Sequence, residues 1–110
     1  MSNTLSREQL DRQVLGLGAV VLAWIEFEGD GIGAPGRVIL AEKVPAEAAR
    51  YAVWWQNRQT GGLSSGGYHT SIAAALEDLA ARARAEETYA ARRAADGLDG
   101  SIRIGVGTAG

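Results

Sequence analysis

The side chains able to do chemistry are few, and they gather in the middle of the chain. His69, the single histidine, lies close in sequence to Ser64, Ser65 and Ser71. A hydroxyl beside an imidazole is the start of a nucleophile–base pair. A third, acidic group must orient such a base. No carboxylate stands nearby in sequence, and there is no nucleophile-elbow motif. His69 therefore reads as a structural hydrogen-bonding residue near a helix start. Glu26 and Glu28 share one face of a strand, the placement that paired carboxylates need for acid–base work. Without a second polar cluster to complete a site they read, together with Asp30, as an acidic patch at a strand end. Gly66-Gly67-Tyr68-His69-Thr70-Ser71 leads into a helix N-terminus, where free N–H groups can hold an anion. That loop carries no Lys or Arg and no phosphate-loop pattern. Gly29-x-Gly31-x-Gly33 follows a strand but precedes another strand, so the dinucleotide-binding context is missing.

An absence is more informative. Between Glu47 and Glu77 lie 29 residues without a carboxylate, and among them are Arg50, Tyr51, Trp54, Trp55, Arg58, Tyr68 and His69. Trp and Arg dominate binding hot spots. They also suit base stacking and phosphate contact. If residues 50–58 form a strand, Trp54 and Trp55 point to opposite faces. Trp55, with Val53 and Tyr51, is expected to face the main helix. Trp54 is then left outside between Arg50 and Arg58. The expected partner-binding set is Arg50, Trp54, Arg58, Tyr68 and His69. The plain alternative is that the aromatics pack the core and the arginines are simply solvated.

Composition bounds these readings. The chain has 110 residues, no cysteine, 11 basic and 13 acidic side chains, and a net charge of −2. That length is one domain. Without cysteine there is no disulfide framework, and with one histidine no multi-histidine metal centre within the chain. No cofactor is expected. The near-balanced charge leaves no general basic footprint for duplex nucleic acid. The longest apolar run, Val14 to Ile25, is too short to span a bilayer. Charged flanks argue against a leader peptide, so a cytoplasmic location is expected.

The elements that must position these residues follow from local signals. Ser6 with Gln9 makes a capping box, and Leu5 with Leu10 a hydrophobic staple. The spacing predicts a helix over 7–15 that stops at Gly16, with Leu10, Val14 and Leu17 on its buried stripe. Residues 19–28 and 37–44 read as strands, the first with Val21, Ala23, Ile25 and Phe27 on one face. Residues 45–60 fit either a helix or a turn followed by a strand over 50–58; aromatic and β-branched content favours the strand. A short strand around Tyr68 and His69 follows a Gly/Ser-rich turn. Thr70 or Ser71 caps a helix to about Ala95, whose stripe is Ile72, Leu76, Leu79, Ala83 and Ala90. Beyond Leu79 that stripe fades to alanine, which suits a dimer seam through residues 80–95. The fold expected is α+β, a two-layer sandwich of three to four antiparallel strands covered on one face by helices. Residues 1–97 form the domain, and 98–110 an edge strand or a tail.

The order helix–strand–strand–strand–helix over residues 6–95 resembles double-stranded-RNA-binding domains. Those domains rely on a lysine-rich start to the second helix, and Thr70-Ser71-Ile72-Ala73-Ala74-Ala75 has no base, so duplex RNA binding is discounted. In size, mild acidity, lack of a catalytic motif and aromatic face, the chain resembles small proteins of phages and mobile elements, including anti-CRISPR inhibitors. That resemblance implies a non-enzymatic protein-binding module that blocks a host defence complex such as CRISPR-Cas. A single-stranded nucleic-acid binder using Trp54, Tyr68, Arg50 and Arg58 is the alternative, and a self-associating structural protein a third.

Overall fold

The computed structural model of the chain describes residues 4–28, 34–44, 49–95 and 102–106. Helix α1 spans Arg7–Leu15, and its capping box is formed as the sequence predicts, Ser6 and Gln9 exchanging hydrogen bonds. The helix closes at Gly16, whose backbone stays in the right-handed region; Gly18, at φ 80°, makes the turn into the first strand. Leu17 swings out with this turn and is exposed. It is not part of the α1 stripe, which is Leu10 and Val14.

Among the described residues five strands form one sheet: β1 (Ala19–Phe27), β2 (Gly36–Lys43), β3 (Tyr51–Asn57), β4 (Leu63–His69) and β5 (Ile102–Val106). Their order is β4-β3-β2-β1-β5, and every neighbouring pair is antiparallel. The fold is α+β with two helices, but the sheet is wider than the three to four strands expected. Two differences account for this. β4 occupies seven residues, including Ser64 to Gly67, which read as a turn from composition. β5 returns to pair with β1 on the far edge.

The sheet is also covered on both faces, not one. Under α1 lie Ala19, Val21, Trp24, Ile39, Ala41, Ala52 and Trp54, with Val14 from the helix. Under the second helix, α2 (Ile72–Ala95), lie Phe27, Val38, Leu40 and Val53, meeting Ala75, Leu79 and Ala83. A β-bulge between Val21 and Ala23 lets β1 serve both layers. An extra residue shifts the alternation by one, so Val21 sits with Trp24 under α1 while Ala23, Ile25 and Phe27 turn to the other side. The expected stripe of α2 is corrected in the same way. Ile72 and Leu76 are exposed, and Ala75 takes the central position. A methyl group lets the helix axis approach Leu40 and Val53 closely, where a leucine would hold it off.

Candidate interaction surface

β3 carries Trp54, with Arg50 and Arg58 flanking it, and β4 carries Tyr68 and His69; the two ends of β3 differ. At the end near Asn57, Arg58 is buried. Its Nη1 donates to the Phe27 carbonyl at 3.3 Å. Its guanidinium lies 3.5 Å from Glu28 and 3.9 Å from Glu26. Arg58 and the acidic patch are therefore one cluster in which the guanidinium offsets part of the carboxylate charge, not two binding surfaces. Asp30, the third member of that patch, lies outside the described residues. Beside it, Arg37 is fully buried under α1. Its Nε donates to Gln56 Oε1 at 2.7 Å and its Nη2 to Asp11 Oδ1 at 2.8 Å. The Gln56 amide in turn donates to the carbonyls of Leu10 and Gly61. Burial pulls the Arg37 pKa down, and the Asp11 carboxylate opposes this. The network fastens α1 to β2 and β3, and of its side chains only Asp11 reaches solvent.

Trp54 is not the exposed aromatic that the alternation suggested. It is 9% exposed and belongs to the core under α1. The expectation assumed that only one sheet face is covered; α1 covers the other. Gly66 makes the room, since a Cβ there would stand 2.9 Å from the Trp54 indole nitrogen. Trp55, Val53 and Tyr51 pack on the α2 side.

At the opposite end of β3 a surface is assembled. Tyr68 is 55% exposed. Trp54 meets its ring edge-on at 6.1 Å, and the Lys43 ammonium sits 4.9 Å from its centroid. Val44 and Leu17, both exposed, are neighbours because the Val44 N–H donates to the Gly18 carbonyl at 2.7 Å. Arg50 lies at the same end, bonded to Glu42 at 3.2 Å and standing 5.6 Å from the Tyr51 ring. His69 is there too, but on the α2 face, since adjacent strand residues alternate. Of the five expected residues, Arg50, Tyr68 and His69 thus share one end of the sheet. Trp54 supports Tyr68 from beneath, and Arg58 is at the other end.

The acidic orienter missing from the local sequence is supplied by α2. His69 Nε2 stands 2.7 Å from Asp78 Oδ2, and Arg82 Nε donates to Asp78 Oδ1 at 2.8 Å. Burial alone would raise the Asp78 carboxyl, but the hydrogen bonds from His69 and Arg82 outweigh it and hold it below the usual aspartate range. Among the described side chains, which do not include that of Ser65, no nucleophile completes the pair. Ser64 and His69 face Trp55 and Tyr51, four residues apart on β3, so roughly 13 Å separates them along the strand. The Ser71 hydroxyl caps α2 by accepting from the Ala74 N–H.

Sequence reasoning missed Leu17, Lys43 and Val44. Lys43 is the chain's one lysine, which was a usable signal; Leu17 and Val44 were assigned to a helix stripe and a strand end. Among the described residues no helix is long and apolar enough to cross a membrane. No family model matches the chain, and no curated protein or solved structure is significantly similar to it.

Proposed function

We propose that this chain is a non-enzymatic protein-binding module that makes contact through the Tyr68 end of its sheet. The observation that carries this reading is the exposed Tyr68 ring, braced by Trp54 and Lys43. An aromatic held rigid at the surface loses little entropy on binding. β4 is a sheet edge, which offers a partner backbone hydrogen bonds as well. A single-strand nucleic-acid face finds less support: Trp54 is buried, and Arg58 is spent on Glu26 and Glu28. Blocking a host defence complex is the form of binding to test first.

The test is capture from nuclease-treated host lysate by the immobilised full chain. Tyr68→Ser should lose a protein that the wild type retains. Leu76→Ser, which alters an exposed leucine on α2, should keep it. Capture that survives Tyr68→Ser, or vanishes with nuclease, sinks the reading.

A further inference from the structure

We propose that the cavity between α2 and β3 binds the alkylammonium group of a small ligand, held over the Trp55 indole and against the Glu86 carboxylate. The cavity measures about 300 Å³ and is lined by Val38, Trp55, Ser64, Arg82, Ala85 and Glu86. It lies apart from the Tyr68 surface, on the other face of the sheet. Its origin is visible in the sequence. Past Leu79, α2 turns alanine to the sheet at Ala83, and methyl groups do not reach far enough to fill the space above Trp55. On the strand side, Trp55 lies across Gly36, where any Cβ would overlap the indole. One flat aromatic wall is thereby held in place, and its remaining surface faces the cavity.

Charge selects the occupant. Arg82 is compensated by Asp78, whose Oδ1 accepts from its Nε at 2.8 Å. Glu86, one turn further along the same helix face, has no hydrogen bond or ion pair among the described residues. Burial pushes its carboxyl up, with no cation set against that effect. The uncompensated charge in the wall is therefore negative, and the same cavity is lined by an aromatic ring. That pair is what a methylated or alkylated ammonium requires: carboxylate for the charge, indole for the cation and its methyl groups. An anion would meet the Glu86 carboxylate in the same wall, and a volume at the low end for ligand sites favours a small molecule.

The experiment is a ¹H–¹⁵N NMR titration of the full chain with choline, with its neutral isostere 3,3-dimethylbutanol, and with a trimethyllysine peptide. Choline should shift the Trp55 indole N–H and the Ala85 and Glu86 amides saturably. Its affinity should exceed that of the isostere by about ten-fold. Glu86→Gln, a substitution on a half-exposed helix position that leaves the fold intact, should erase that margin. No saturable shift at tens of millimolar choline, equal binding of the isostere, or binding of the peptide alone would each overturn the proposal.

Discussion

Gln56 shows how much one side chain can organise. It accepts from the Arg37 guanidinium and donates to two backbone carbonyls, one on α1 and one in the β3–β4 turn. Gln56→Ala would take this partner from the buried Arg37 Nε and the Gly61 carbonyl, and a second one from the Leu10 carbonyl, which keeps its helical bond, so a loss of about 2–4 kcal/mol is expected. Urea unfolding measures it; a loss under about 1 kcal/mol would mean that the network relaxes or admits water. Asp11→Ala should also be costly, about 3–5 kcal/mol, because it leaves the fully buried Arg37 guanidinium without the carboxylate it is bonded to. Asp78 gives the pH dependence. Its folded-state pKa lies below the unfolded one. Its contribution is therefore complete above about pH 4 and is lost as pH falls through the lower folded value. Asp78→Asn should be less stable than wild type near about pH 7, and the two should converge in acid. Melting curves that stay parallel down to about pH 2 would show that the carboxylate makes no net contribution. Neither residue was legible as a partner from sequence alone. Asp78 sits nine positions from His69, across a strand-to-helix turn, and Gln56 read only as one polar member of an alternating strand. Arg58 and the Glu26–Glu28 pair were all singled out, but their pairing depends on β1 and β3 being two strands apart in one sheet.

At the scale of elements, the signals that acted locally were legible and those that depended on a neighbour were not. The cap of α1, the strands either side of residues 29–33 and the strand character of 50–58 follow from spacing and β-propensity. The length of β4 does not, because Ser64-Ser65-Gly66-Gly67 has the composition of a turn. Those glycines are there because side chains from both faces lie against the strand. A Cβ at Gly66 would crowd Trp54 and Tyr68, and one at Gly67 would overlap the Asp78 carboxylate and stand 3.0 Å from the Arg82 guanidinium. Gly67→Ala must therefore displace Asp78 from His69 and lift the first turns of α2 from the sheet. A destabilisation of about 1–3 kcal/mol is expected. Gly62→Ala, which meets only the Thr60 hydroxyl at 3.4 Å, is the matched control and should stay within about 0.5 kcal/mol of wild type. Hydrogen exchange adds a spatial readout. Amides of α2 and β4 should lose protection in the Gly67 variant while those of β1 and β2 keep theirs. Uniform loss across the sheet would mean that α2 and β4 do not act as a local unit.

For the molecule as a whole, the sheet's outer edges decide how it behaves in solution. The sequence showed alternation over 102–106 but could not show which strand it would meet, since that pairing spans most of the chain. The register pairs Ile104 with Ile25 and Gly105 with Trp24. Trp24 is 7% exposed, roofed on its α1 side by the Arg7 guanidinium at 5.2 Å. Gly105 is the only residue type that lets the indole lie this close to β5, because any Cβ would overlap it. Removing residues 96–110 would strip that cover and turn β1 into an edge. Uncovering one large aromatic and its neighbours costs about 2–3 kcal/mol, a substantial part of the roughly 5–15 kcal/mol that holds a domain together. A bare, apolar β1 edge also invites strand pairing between copies. The shortened chain is therefore expected to unfold at lower urea, to shift its tryptophan emission to the red, and to sediment as larger species as concentration rises. Gly105→Ala in the full chain should reproduce the emission shift, since it separates β5 from Trp24 without shortening anything. An unchanged urea midpoint and emission in the shortened chain would show that β1 is stable as an edge without β5.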